Sequence, residues 1–520
     1  MGLQPPGAGS TTIHDLPSEL LTRVFIFYCL QPPTDEAYIW TQAYLARERD
    51  TLAQVCLSWK GVVFSSPELW TEYRLFFRNP VTSANTNSEE WFSPSQVVDR
   101  AVQWLDRSKE LPCKVTVWDQ LDQDSGSEAR ISEMFESLRT FFSFMAGRLS
   151  YLKCRGPTRH LHQVWSSVVP PLPRLEHLTF SCFGYANHFV PFTPPHSFRD
   201  SKLLKELNLL NCSLVLSLRS DANSLGDAPN SGSGAAAVNS VVLPVSLFSY
   251  TEITSLELSS RIFPEVILDI LPHCLSVVTC TLSIDSWHGD FGGRPISSPR
   301  LNQIPLLTLK KLHITTFGTL FRTSDLSPFF TPLRLPALTH LTIQLGEGIA
   351  KRIHILPALL DLHRRDPFEL KYLKLESIYV EDRLTLFEFF GNVPTLKSLH
   401  LLDSCTLGNP LFQELTLPLL PDSSRDHQTG LLPVLEEIEL NEQDAASVTS
   451  KSIIDFVESR FLVDPRNSNL DAEQRTSRRK PHLQSVSLCG LSLSEDADAA
   501  LHEKAKIWKE HGLEISWQRY

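Results

Sequence analysis

From about residue 111 onward, apolar positions recur as Leu-x-x-Leu-x-Leu or a close variant, often with a proline just before them. The last two apolar positions of each copy are two residues apart, which is the alternation of a β-strand buried on one face. The pattern therefore predicts one short strand for each copy. The copies start at Leu149, Leu175, Leu204, Ile253, Leu309, Leu338, Leu370, Leu396, Leu435 and Leu483, with a degraded copy at Thr279.

Most copies begin about 26 to 32 residues after the previous one, a spacing similar to the period of leucine-rich repeats. Apolar residues at helical spacing lie between the strands, for example Leu384, Phe387 and Phe390. A strand, a crossover helix and the next parallel strand must stack, because one unit cannot cover its own apolar face. The longer intervals contain two polar segments that we interpret as loop insertions, near 220–240 and 464–481. An ordinary α/β fold is the alternative.

A different pattern, typical of short helices, occupies residues 13–78. Pro17 suits the first turn of a helix, and Glu19 favours the positive end of the helix dipole. Asp50 is a plausible N-cap for a second helix. The apolar stripe of the first helix contains Leu20, Leu21, Val24, Phe25 and Tyr28. The second helix carries Leu52, Val55, Cys56 and Trp59 on one face, a third runs through Val62 and Phe64, and another turn starts at Ser65.

The ordered set Leu16-Pro17-x-Glu19-Leu20-Leu21-x-x-Val24-Phe25, Leu52-x-x-Val55-Cys56-x-x-Trp59 and Leu69-Trp70 resembles an F-box. The segment from Trp104 to Val117 is similar to the junction in fungal F-box proteins with degenerate leucine-rich repeats. One departure is the 31–51 insert between the first two helices, where that family usually has a short turn.

This resemblance implies an α/β chain in which a small helical F-box precedes an irregular leucine-rich-repeat solenoid of parallel strands with crossover helices. We expect a disordered tail at 1–12, the F-box at 13–78, a connecting segment at 79–110 and the repeat domain at 111–520.

The function implied by the resemblance is that of the substrate receptor of a Skp–cullin–F-box ubiquitin ligase. The implied partners are a Skp-type adaptor, through it a cullin, and a protein substrate. Trp59 is expected to support the core. The expected adaptor contacts are Leu16, Pro17, Glu19, Leu20, Val24, Val55, Leu69 and Trp70.

The alternative is a repeat scaffold that binds protein without recruiting a ligase. Its helical head would only cap the apolar edge of the first repeat. In that case the apolar residues of the head would all lie in the core and would have no partner. These residues are Leu16, Leu20, Val24, Val55 and Trp59.

Composition and charge limit the classes of partner that the chain is expected to bind. The chain of 520 residues has 48 Lys and Arg against 59 Asp and Glu, a net charge of -11. This balance argues against a nucleic-acid binder, whose mark is a strongly basic face. The ten cysteines form no Cys-x-x-Cys pair, the start lacks signal-peptide features, and no apolar run approaches a membrane span. We expect a soluble, reduced protein of the cytoplasm, the nucleus or both.

No motif for catalysis is found in the sequence. It lacks a Gly-x-Ser-x-Gly elbow, a His-Glu-x-x-His helix and a phosphate-binding loop. His160 and His162 are too few for a metal site, and we interpret them as part of a surface turn. The sequence therefore predicts a protein that is not an enzyme and that needs no metal or cofactor.

Alternation along the predicted strands also identifies the residues that point away from the core. Four consecutive strands present lysines, histidines and one tyrosine, and the next presents Glu436, Glu437 and Glu439. We hypothesise that this patch binds an acidic or phosphorylated substrate segment; the alternative is that the lysines only keep exposed strands soluble. The patch consists of Lys310, Lys311, His313, Lys371, Tyr372, Lys374, Lys397 and His400.

Overall fold

The chain divides into two compact units, Met1–Ser249 and Tyr250–Tyr520. The tail at 1–12 and both predicted insertions lie outside the described residues. The computed structural model describes residues 13, 16–30, 42–78, 92–121, 128–157, 160–161, 170–183, 201–211, 250–262, 264–284, 303–316, 326–345, 355–378, 383–402, 408–417, 430–441, 448–461, 483–491 and 493–519.

The first unit begins with three helices, α1 (Ser18–Leu30), α2 (Gln42–Val55) and α3 (Leu57–Ser65), and a 3-10 turn at Pro67–Trp70. The expected start of α2 after Asp50 is wrong, because the helix already runs from Gln42. Residues 42–49 contain neither proline nor glycine and are mostly good helix formers, so nothing in them stops the helix. Part of the 31–51 insert is therefore helix, and 31–41 lies outside the described residues.

Cys56 separates α2 from α3. Its backbone is extended, and its Sγ accepts a hydrogen bond from the Trp59 N–H at 3.4 Å. A side chain that accepts from the third residue of a helix is an N-cap. The predicted third helix and the turn after Ser65 are confirmed, but Trp59 lies on this third helix and not on the second as expected.

The strands of the first unit are parallel and pair in chain order. The first of them precedes residue 111, where the sequence predicted the strands to begin. It was missed because its sequence lacks the leucine motif, although Tyr73, Leu75 and Phe77 alternate as buried residues. The elements are β1 (Glu72–Arg78), α4 (Pro94–Asp106), β2 (Cys113–Gln120), α5 (Glu128–Met145), β3 (Leu149–Pro157), β4 (His177–Phe183) and β5 (Glu206–Leu210).

The second unit repeats strand and crossover helix, and its longer strands pair in parallel. Two short strands, β8 and β10, form a pair of their own. The elements are β6 (Ser255–Ile262), α6 (Pro264–Ile270), β7 (Thr279–Ile284), β8 (Ile304–Pro305), β9 (Lys311–Thr316), α7 (Ser327–Phe330), β10 (Leu333–Arg334), β11 (His340–Leu345), α8 (Leu356–Arg365), β12 (Tyr372–Glu376), α9 (Arg383–Asn392), β13 (Ser398–Leu402), α10 (Gly408–Leu415), β14 (Glu437–Asn441), α11 (Ser450–Phe461), β15 (Ser485–Leu491), α12 (Glu495–Glu510) and β16 (Glu514–Arg519).

Every predicted motif copy, the degraded one at Thr279 included, contributes a strand, so the α/β fold of parallel strands and crossover helices is confirmed. The second and third apolar positions of neighbouring copies are register partners. In the degraded copy Cys280 and Leu282 take these positions, so its motif starts two residues before the predicted Thr279. Their side chains form continuous buried rows behind the strands. One such row contains Leu312, Leu341, Leu373, Leu399, Ile438 and Val486.

In most copies the first leucine lies in a turn just before the strand, although Leu149 is itself the first residue of β3. The Leu338 N–H donates to the Leu335 carbonyl at 3.1 Å, and the Leu396 N–H donates to the Val393 carbonyl at 3.1 Å. A turn closed over three residues accepts proline at its second position, where the fixed φ of proline suits the chain. This explains the prolines before the motif, such as Pro336.

The crossover helix α9 corrects one expectation about the core. Leu384 was expected to share the buried face with Phe387 and Phe390, but its side chain is 78% exposed. The buried face of α9 carries Leu386, Phe389 and Phe390 instead. These positions have the three- and four-residue spacing of one helix face, and Leu384 lies off it.

Three arginines, the buried Arg460, the half-buried Arg148 and the exposed Arg365, bind the carbonyl groups at the ends of crossover helices. Arg460 donates to the Leu415 carbonyl at 3.0 and 2.5 Å and to the Leu432 carbonyl at 2.6 Å. Arg148 reaches the Leu105 carbonyl at 2.7 Å, and Arg365 reaches the Phe330 carbonyl at 3.1 Å. The last carbonyls of a helix lack partners within the helix, so each guanidinium replaces a missing cap. Burial lowers the pKa of Arg460 to about 10, so it stays charged at neutral pH.

No helix within the described part of the chain has the length and apolar character needed to cross a bilayer.

We predict that Arg460→Met lowers the free energy of unfolding by about 2 to 4 kcal/mol, because buried carbonyls then lose their donors. The matched control is Arg364→Met, at an exposed arginine of α8. Its effect should stay within about 0.5 kcal/mol. Urea unfolding followed by circular dichroism measures both, and equal losses would contradict the capping role.

Candidate functional site

The three helices of the head enclose a small core of their own. Its members are Leu21, Phe25, Cys29, Leu52, Trp59, Val63, Leu69 and Trp70. The Phe25 and Trp59 rings lie 4.8 Å apart between their centroids, so Trp59 supports the core as expected.

A second layer joins the head to the sheet of the same unit. The ring centroids of Trp70 and Trp104 are 4.6 Å apart, and the Trp70 Nε1 donates to the Val63 carbonyl at 3.0 Å. Arg49 is buried, and its Nε donates to the Leu69 carbonyl at 2.6 Å. Its guanidinium carbon lies 5.0 Å from the centroid of the Trp104 ring, and burial lowers the pKa of Arg49. The side chains of Trp70 and Leu69 are both buried, so packing within the chain covers them.

Helix α1 carries a second apolar stripe on its outer side. Leu20, Val24, Phe27 and Tyr28 are 45%, 44%, 69% and 49% exposed, whereas Leu21 and Phe25 beside them are buried. We call these four residues the α1 stripe. Their spacing of three and four residues places them on one side of the helix. Large apolar side chains that remain exposed after folding are the expected mark of a partner surface.

The predicted adaptor contacts fall into two groups. Pro17, Glu19, Leu20, Val24 and Val55 are exposed, and Leu16 is half-buried against the head core. The structure does not support Leu69 and Trp70 as contact residues, because both lie in that core. The contact surface of the head is therefore limited to Leu16, Pro17, Glu19, Leu20, Val24 and Val55 among the predicted residues.

The alternative of a head that only caps the repeats predicted that its apolar residues are buried, and most of them are not. It required Leu20, Val24 and Val55 to be core, but all three are exposed, and only Trp59 is buried as it required.

The second unit brings together the eight polar residues predicted on its strands. Five of them lie on β9, β12 and β13, on the side opposite the buried rows. The other three, Lys310, Lys371 and Lys397, directly precede these strands. Lys311, His340, Tyr372 and Ser398 are consecutive register partners, and His313, Thr342, Lys374 and His400 form the next row. We call the eight predicted residues the C-terminal strand patch.

Carboxylates of the chain neutralise much of this patch. Lys397 pairs with Glu436 at 2.5 Å, and Lys374 pairs with Glu376 at 2.9 Å. The His400 Nδ1 lies 2.5 Å from a carboxylate oxygen of Glu439 on β14. The glutamates of β14 and of the residue before it therefore offset positive charge along one edge of the patch.

Two histidines of this surface, His313 and His340, add little positive charge at neutral pH. Burial lowers the pKa of His313, and the nearby Lys374 lowers it further. Burial, Lys311 and Lys371 likewise lower the pKa of His340. Exposed lysines that take part in none of the ion pairs above are Lys310, Lys311 and Lys371. The cationic surface is therefore smaller than the sequence predicted.

A second polar strand face, on β1 to β3, was not found from the sequence because no motif copy was predicted at β1 or β2. Its signal was present in the alternation of Arg74, Phe76 and Arg78 with three apolar residues.

His160 corrects another expectation. It is buried rather than in a surface turn, and its Nδ1 lies 2.8 Å from the Asp119 Oδ2. The pair joins the end of β2 to the segment after β3, and His162 lies outside the described residues. Within the ranges that the structure describes, no cluster of three or more His, Cys, Asp or Glu side chains is arranged to hold a metal ion.

Comparison of the chain with models of known protein families and with curated proteins finds no match.

The two phenylalanines of α1 give a matched test of its two faces. We predict that Phe25→Ala lowers the free energy of unfolding by about 3 to 5 kcal/mol, because it empties a buried site. Phe27→Ala, at an exposed position, should change that energy by no more than about 0.5 kcal/mol. Urea unfolding monitored by tryptophan fluorescence measures both. A cost for Phe27→Ala similar to that for Phe25→Ala would show that the α1 stripe is packed in solution.

Proposed function

We propose that the protein is the substrate receptor of a Skp–cullin–F-box ubiquitin ligase. In this proposal the helical head binds a Skp-type adaptor, and the strand faces bind a protein substrate. The observation that carries the proposal is the α1 stripe, which stays exposed on a helix whose opposite side already fills the head core.

The sequence of the head and its geometry support the same role. Pro17 and Glu19 of the F-box-like motif are exposed at the start of α1. Pro17 accepts hydrogen bonds from the Leu20 and Leu21 N–H groups at 3.0 Å, which fixes where the helix begins. The start of α1 thus presents a defined surface rather than a frayed end.

The mechanism implied is positioning, with no bond made or broken by this chain. The head fixes the receptor to the ligase, and the repeats hold the substrate near the ubiquitin-carrying enzyme. The gain comes from effective concentration and orientation, which depend on rigid attachment at both ends. The buried Arg49, bonded to the Leu69 carbonyl and stacked on Trp104, supplies that attachment at the base of the head.

The test uses a charge placed on the α1 stripe. We predict that Leu20→Glu with Val24→Glu weakens binding of a purified Skp-type adaptor at least about tenfold, because two buried carboxylates oppose an apolar contact. Binding is measured by co-purification and by isothermal titration calorimetry.

The matched control is Leu203→Glu with Leu275→Glu, at two leucines with similar exposure outside the head. This variant should bind the adaptor as the unaltered chain does. Equal binding by both double variants would contradict docking through the α1 stripe. If the unaltered chain binds no adaptor, the scaffold alternative becomes the better account.

A further inference from the structure

The strands of the first unit present a polar face that differs in character from the C-terminal strand patch. Register pairing of β1, β2 and β3 sets its outward residues in three rows. We call them the N-terminal strand face. The rows are Glu72, Lys114 and Tyr151; Arg74, Thr116 and Lys153; and Phe76, Trp118 and Arg155.

This face is concave. Most of the side chains of the three rows line a cavity of about 300 Å³ that is open to solvent. Neighbouring strands lie about 5 Å apart, so the three strands span on the order of 10 Å. That width suits one or two side chains of an extended peptide.

Positive charge dominates the face. Arg74, Lys114, Lys153 and Arg155 lie on it with a single carboxylate, Glu72, whose Oε1 is 3.2 Å from the Arg74 Nη2. Burial lowers the pKa of Lys153, and Arg155 and Arg74 lower it further. These cations therefore repel one another in the unbound chain, and an anion placed among them would relieve that repulsion.

An aromatic wall lies beside the cations. The Phe76 and Trp118 rings meet edge to face with centroids 5.3 Å apart. The Arg155 guanidinium carbon lies 4.7 Å from the centroid of the Trp118 ring, which holds the charge against the wall. An apolar side chain and an anionic group can thus be bound next to each other.

We propose that the N-terminal strand face binds a protein segment in which an anionic side chain, carboxylate or phosphate, adjoins an apolar one. The inference rests on the proposed function, since it names the substrate chemistry of a receptor. A protein segment fits better than a nucleic acid, because the chain has a net charge of -11 and Glu72 lies within the site.

The contrast with the C-terminal strand patch supports this choice. There, Glu436, Glu376 and Glu439 from the chain itself already pair with Lys397, Lys374 and His400. On the N-terminal strand face, Glu72 is the one carboxylate among four cations in the three rows. The larger charge imbalance, and so the stronger pull on an anion, lies in the first unit.

The experiment measures binding of fluorescein-labelled peptides to the full chain by fluorescence anisotropy at two salt concentrations. The probes are a short peptide of alternating glutamate and leucine, its counterpart with glutamine for glutamate, and its counterpart with phosphoserine for glutamate. A single-stranded oligonucleotide of similar length tests the nucleic-acid alternative.

We expect at least one of the two anionic peptides to bind, more weakly at high salt, and the glutamine peptide to bind at least about tenfold more weakly. Preference between the glutamate and phosphoserine peptides then assigns the anion as carboxylate or phosphate. Lys114→Glu with Lys153→Glu should weaken binding of the anionic peptide at least about tenfold.

The control variant is Lys202→Glu, an exposed lysine of the same unit outside the three rows. Unchanged peptide affinity in the double variant, equal loss in the control, or stronger binding of the oligonucleotide would overturn the inference. Adaptor binding by the same variants is measured in parallel. It depends on the α1 stripe, so its failure is distinguishable from failure of the peptide site.

Discussion

Each strand of this chain has one apolar face that a single strand–helix unit cannot cover, and the rest of the structure depends on that constraint. Leu341 and Ile343 of β11, for instance, are buried only because β9 and β12 place their own apolar residues in the same rows. The crossover helices return the chain to the same end of the sheet, so the strands are parallel, and their other face is left for polar residues. Each crossover connection needs turns and helix ends, and these are where the prolines and the carbonyl-binding arginines lie.

Because the buried rows fix the register, they also fix which outward side chains become neighbours. A charge on one strand lies beside charges on the strands before and after it, whatever their distance in sequence. This brings Lys397 to Glu436 in the second unit and Arg74, through Thr116, into line with Lys153 in the first. Among the described residues of these rows, carboxylates offset more of the positive charge in the second unit than in the first. The difference arises from which strands carry acids, since the fold of the strands is the same.

The leucine motif predicted the strands well because burial on one face leaves a direct trace in the sequence. It missed β1, where Tyr73, Leu75 and Phe77 are buried in alternation without a leucine repeat, and it gave no copy at β2 or β16. The start of α2 was placed too late because a good N-cap residue, Asp50, lies inside the helix.

Which side of α1 faces the core could not be read from the sequence, since both of its stripes are apolar. Packing of Phe25 on Trp59 decides it. The predicted contacts Leu69 and Trp70 failed for the same reason: an apolar residue gives no sign in sequence of whether the chain itself or a partner covers it. The arginine caps were not foreseeable either, because Arg460 and the carbonyl of Leu415 are joined only by the fold.

The most direct test of the central claim is hydroxyl-radical footprinting of the full chain with and without a Skp-type adaptor, read residue by residue by mass spectrometry. The account predicts that Phe27 and Leu20 are oxidised in the isolated chain and protected in the complex. Phe25 should be protected in both states, and the exposed Leu384 of α9 should be oxidised in both. Undiminished oxidation of Phe27 and Leu20 in a complex that has formed would contradict the account.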